Sequence, residues 1–113
     1  MRTFLATYIG SVSSSEKEQS AIPADVESAG MEAWGRWIAE HANSIHDHGT
    51  PLGKTKRVSA AGIIDAENRI VGYVIVKAES HEAAAKIFEN HPHFSVFPGD
   101  SVEVMECLAV PGA

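Results

Sequence analysis

The chain has 113 residues, 44% of them hydrophobic, and a formal charge of -6 from nine Lys plus Arg against fifteen Asp plus Glu. That length and apolar content suit one domain around one core. The negative balance repels a phosphate backbone, so neither nucleic acid nor an anionic membrane surface is an expected partner.

The single cysteine, Cys107, has no partner for an internal disulfide. The chain therefore gains nothing from an oxidising compartment, and a cytoplasmic location is expected, with Cys107 as a small buried hydrophobe. The apolar run Phe4 to Ile9 is too short and too mixed for a signal-peptide core, and no run approaches a membrane span.

In chain order, Phe4 to Ile9 is aromatic and β-branched and closes on Gly10, which predicts a first strand. The polar segment 11–24 reads as a mobile loop running into a helix start at Pro23, Asp25 and Glu27. Met31, Trp34, Ile38, Ala42 and Ile45 recur at three- and four-residue steps with Trp37 at their edge, while Glu32, Arg36, Glu40 and Asn43 take the opposite side. This pattern predicts an amphipathic helix resting on an apolar layer and stopped by Gly49 and Pro51.

Val58 to Asp65 and Arg69 to Lys77 are β-rich, and the short Ala66-Glu67-Asn68 link predicts that they pair as a hairpin. Ser80 is placed to cap a helix from Glu82 to Asn90 whose buried stripe is Ala83, Ala84, Ile87 and Phe88; His91 precedes Pro92 and leaves it. Ser101 to Leu108 is the last strand.

Strand, helix, hairpin, helix, strand is the ferredoxin-like β-α-β-β-α-β order of an α+β domain, with two helices on one face of a four-stranded antiparallel sheet. Alternation along the third strand sends Ile70, Val74 and Val76 to one face and Val71, Tyr73 and Ile75 to the other. Both faces are then apolar, and the face without helices needs a cover. A homodimer supplies one: burying about 400 Å² per subunit gives on the order of 10 kcal/mol of gross hydrophobic stabilisation, offset by several kcal/mol of lost rigid-body freedom.

Several short motifs carry a family likeness: Trp34-Gly35-Arg36-Trp37, Asp47-His48-Gly49-Thr50-Pro51-Leu52-Gly53, Gly72-Tyr73 and Val102-Glu103-Val104. Their order resembles the YCII-related and DGPF-type proteins, small dimeric α+β barrels. The resemblance implies a homodimer with sheets face to face and a polar-lined cavity between sheet and helices in each subunit. It also implies a helix histidine and an Asp-Pro pair, and this chain departs from both, with Ile38 near the first position and His91-Pro92-His93 at the second. Asp47, before the Gly-Thr-Pro turn, matches.

Six histidines form two groups, His41, His46 and His48, then His81, His91 and His93. On a helix His46 and His48 would point about 200° apart, whereas His91 and His93 flanking a proline can share a side. A third metal ligand, from Asp47 or Glu106, has no spacing to recommend it, so no metal and no other cofactor is expected. His91 or His93 with Asp47 as orienter is the expected catalytic group. Trp34 and Trp37 stack a planar ligand or pack the core, Lys54 with Lys56 and Arg57 holds an anionic group or is solvated, and Tyr73 donates into the cavity or reaches its rim.

Three readings follow: a cofactor-free small-molecule enzyme using a His/Asp pair at a subunit cavity, a non-catalytic small-ligand-binding module, or an accessory dimer recognised by another protein. The first is the expected one.

Overall fold

A computed structural model describes residues 1–12, 23–95 and 99–112. The expected loop, 11–24, lies for the most part outside the described residues. In chain order the elements are β1 (Arg2–Gly10), α1 (Ala24–Glu40), β2 (Ile45–Pro51), β3 (Thr55–Ser59), β4 (Gly62–Ala66), β5 (Ile70–Ala78), α2 (His81–Lys86), α3 (Pro92–Ser95) and β6 (Gly99–Glu106). The main sheet runs β2-β5-β1-β6, every neighbour antiparallel, and β3 and β4 form a separate two-stranded sheet. With the β3–β4 hairpin set aside as an insertion, the order is that of the ferredoxin-like α+β arrangement.

β1 alternates as its sequence demands. Phe4, Ala6 and Tyr8 are buried on the helix side, while Thr3, Leu5, Thr7 and Ile9 are half-buried on the other. Val74, Val76 and Ala78 of β5 extend the buried layer, and Trp37 from α1 with Ala84 and Phe88 closes it. Val71 also joins this core rather than the outer face. The pairing slips between Tyr8 and Ile9, so that Tyr8 faces Gly72 and Ile9 faces Ile70, and Val71 is the extra residue of the bulge. One inserted residue shifts the alternation and turns Val71 inward.

Two expected elements differ. The first helix was expected to run to Ile45, but it ends at Glu40, where the His41 backbone N–H bonds the Trp37 carbonyl. The N–H groups of Ser44 and Ile45 turn back onto the His41 carbonyl. Ile45 then opens β2, opposite Val76, so Gly49 and Pro51 lie inside and at the end of an edge strand instead of stopping a helix. Val58 to Asp65 is not one strand but β3, a turn at Ala60-Ala61 and β4; β5 pairs with β1 and β2.

The second helix is capped as expected, the Ala83 N–H donating to Ser80 Oγ at 3.0 Å. Its regular part is short, and Ala83 is exposed while Ala84 and Phe88 are buried and Ile87 half-buried. Asn90, at φ 59, ends that turn in the left-handed region that Asn tolerates, and Pro92 opens α3 where its missing N–H costs nothing. Cys107, expected inside, is exposed just past β6.

Candidate functional site

A cavity of about 570 Å³ opens between α1 and the end of the sheet where β2, β5 and β1 meet. From α1 come Met31, Trp34 and Ile38, one apolar stripe at helical spacing; from the sheet come Tyr8, Gly72 and the segment His48 to Pro51. His93 and Gly99 close one end, and Glu27 adds a carboxylate.

Local backbone chemistry places His48. The Asp47 carboxylate accepts the Gly49 backbone N–H at 2.9 Å, a turn built from a side chain. Gly49 sits at φ 67, and a Cβ there would collide with the carbonyl of Tyr73. The resulting bulge, between the pairs Asp47 with Ile75 and Thr50 with Tyr73, breaks the alternation of β2, and His48 lines the cavity.

Behind the wall lies a buried polar chain. His91 is fully buried, its Nδ1 accepting the backbone N–H of His93 at 2.9 Å. A neutral imidazole whose Nδ1 accepts must carry its proton on Nε2, and that N–H donates to the Tyr8 hydroxyl 3.1 Å away. Burial is the main reason that His91 stays neutral, and the nearby His93 and His41 add to it, lowering its pKa to about 3. Burial likewise pushes the Tyr8 phenol up, so it remains an O–H at any ordinary pH.

Aromatic rings enclose His91, with the Trp37 centroid 4.4 Å, Trp34 4.5 Å and Tyr8 5.1 Å away. His93 is also buried and donates Nε2–H to the Ile9 carbonyl at 2.8 Å. Gly99 lies against its ring and carbonyl so closely that a Cβ would overlap both.

Of the residues singled out from sequence, Trp34, Tyr73 and His93 line the cavity, and His91 sits one layer behind. Trp37 belongs to the core, its indole N–H donating to the Ile87 carbonyl at 3.2 Å. Asp47 and Lys54 are exposed and do not line the cavity, and Lys56 pairs with Asp65 at 2.7 Å on the hairpin. His41 and His81 cap backbone carbonyls, of Trp37 and Val104.

Tyr8 and His48 were not among the expected catalytic or binding residues. Tyr8 hides in an aromatic strand; the signal for His48 was the Asp-x-Gly spacing around it. Among the described residues no three His, Cys, Asp or Glu side chains could hold a metal ion, and no helix is long and apolar enough to cross a membrane.

Fold and cavity together define a small α+β protein of ferredoxin-like order with an aromatic-walled pocket at one end of its sheet. No family model matches the chain, and no curated protein does. Among solved structures it is similar to the 5-chloro-2-hydroxyhydroquinone dehydrochlorinase of Burkholderia phenoliruptrix AC1100, in complex with 2,5-dihydroxybenzoquinone. The TM-score is 0.52 at 16% identity, over 90% of this chain and 89% of that one. At that identity the likeness is one of fold.

Proposed function

We propose that the chain is a cofactor-free enzyme that moves a proton on a small, planar, ring-sized molecule held in the cavity between α1 and the sheet. The observation that carries this reading is the composition of that one pocket. Its walls are Tyr8, Met31, Trp34 and Ile38, and His48 and His93 are set among them. A concave, largely apolar site with a few convergent polar groups is where small-molecule chemistry is done. The volume admits a six-membered ring with substituents, and the fold neighbour's bound 2,5-dihydroxybenzoquinone is a ligand of that size.

The roles divide by access. His48, exposed at the mouth, exchanges protons with substrate and solvent, and His93, with Nε2 committed to the Ile9 carbonyl, orients the ligand. The partnership expected from sequence, Asp47 with His91 or His93, gives way here to a different one, in which Asp47 holds the turn that carries His48. His91 is a positioning residue, acting through Tyr8.

The same reading includes a second copy of the chain. Met105, Leu5 and Ile75 form one cross-strand row on the sheet face away from the helices, and Met105 is 41% exposed. A partner sheet laid on that row removes its apolar surface from water.

The test is exchange of carbon-bound hydrogen for deuterium in D₂O, followed by NMR over a panel of hydroxylated and keto six-membered rings. The expected result is enzyme-dependent exchange with at least one compound, lost in His48→Gln while binding persists. Binding without exchange across the panel would replace catalysis with ligand binding as the function.

A further inference from the structure

The hydrogen inventory of the buried chain leaves one donor over. The His93 backbone N–H fills His91 Nδ1, which fixes the ring proton on Nε2, and that proton goes to the Tyr8 oxygen. Among the described residues Tyr8 thus makes one hydrogen bond, as its acceptor, and its own O–H finds no acceptor. Tyr8 is 3% exposed, yet it lines the cavity. A buried donor without a partner is costly unless something in the adjoining space accepts it.

We infer that Tyr8 O–H is the recognition donor of the cavity, and that it selects rings carrying an oxygen on which negative charge resides or develops, a phenolate or an enolate. This rests on the cavity being a ligand site, as proposed above.

Three features fit a donor and not a base. His91 Nε2–H bonds the phenol oxygen and so polarises the O–H, strengthening it as a donor through a chain of hydrogen bonds. Burial keeps the phenol protonated, so it retains the hydrogen it must donate. The ring is immobilised: the Trp34 centroid lies 4.8 Å and the His93 centroid 5.2 Å from it, and a Cβ on Gly72 would come within 3.4 Å of Tyr8 Cδ2. A fixed donor aimed at developing charge costs no reorganisation when that charge appears.

The test compares two ring probes of matched shape, 4-nitrophenol at mildly alkaline pH, where it is ionised and its visible band reports binding, and 4-nitrotoluene, which has a methyl group in place of the oxygen. Dissociation constants are measured for the wild type and Tyr8→Phe, a change that keeps the ring and removes only the hydroxyl. Hydrogen bonds to a charged partner set the expected size, about tenfold or more. The wild type should favour 4-nitrophenolate, and Tyr8→Phe should lose about tenfold in phenolate affinity while 4-nitrotoluene changes by less than about twofold.

The unchanged nitrotoluene affinity also shows that the variant keeps its fold. Equal phenolate affinity in both proteins overturns the inference and leaves the cavity reading standing. Failure of both probes to bind the wild type removes the cavity reading and this inference with it.

Discussion

The hydroxyl of Tyr8 and Nε2 of His91, 83 residues apart in sequence, meet at 3.1 Å inside a shell of aromatic rings. The contact has a stability signature that follows from proton linkage. The unfolded chain takes up a proton on His91 near pH 6.5, whereas the native protein resists it until about 3. Between those values the unfolded state binds more protons, so stability rises with pH. The contribution is fully present above about pH 6.5 and is lost as pH falls towards 3. Urea unfolding at pH 7 and pH 4 should show the wild type losing about 3 kcal/mol more than His91→Gln over that interval. A difference under about 1 kcal/mol would mean that His91 does not stay neutral in the fold.

Two glycines give opposite expectations for the same substitution. Gly49 has φ 67 and no room for a Cβ beside the Tyr73 carbonyl, so Gly49→Ala should cost more than about 2 kcal/mol and displace His48. Gly35 is exposed in the middle of α1 with open space where a Cβ would go. Gly35→Ala should therefore stabilise by about 0.5 to 1 kcal/mol, because Ala loses less backbone entropy in a helix. Thermal melts of the two variants against wild type read both signs in one experiment.

What was legible in the sequence tracks how strongly burial patterns each segment. β1 is marked by its aromatic and β-branched run, α1 by its three- and four-residue period through Ile38, α2 by the Ser80 cap and β6 by its strand-like run. β2 does not: Ile45 to Pro51 is an edge strand of mostly exposed side chains, its alternation broken by a bulge, so His46, Asp47 and His48 carry no hydropathy period. Placing those residues on a helix also set His48 aside, because helical geometry and not strand geometry decided where it pointed. The β3–β4 turn at Ala60-Ala61 was hidden by its apolar residues, and Gly62, at φ 121, was the one signal of it. The histidines around Pro92 stood out by composition, but only the fold brings Tyr8 to them.

Trp34 and Trp37 read alike in sequence and separate in the structure. Trp37 is 5% exposed with its indole N–H on the Ile87 carbonyl. Trp37→Ala should cost about 3 to 5 kcal/mol, combining a cavity in the core with an abandoned carbonyl. Trp34 is half-buried and forms cavity wall. Trp34→Ala should cost less in stability and more in ligand affinity. Denaturant midpoints paired with 4-nitrotoluene affinities separate the two; equal loss on both axes for both variants would contradict the division.

Leu5 pairs with Ile75 on one side and Met105 on the other, a continuous apolar row across three strands. A carboxylate at the Ile75 end of that row is tolerated if water covers the sheet and is costly if a second apolar sheet does, because a charge buried without a partner is strongly disfavoured. Sedimentation should therefore find the wild type as two chains and Ile75→Glu as one, with the variant still folded, since Ile75 faces away from the core of Phe4, Val74 and Val76. If the wild type itself sediments as a single chain, water covers this row, and Ile75→Glu should then leave both mass and stability almost unchanged.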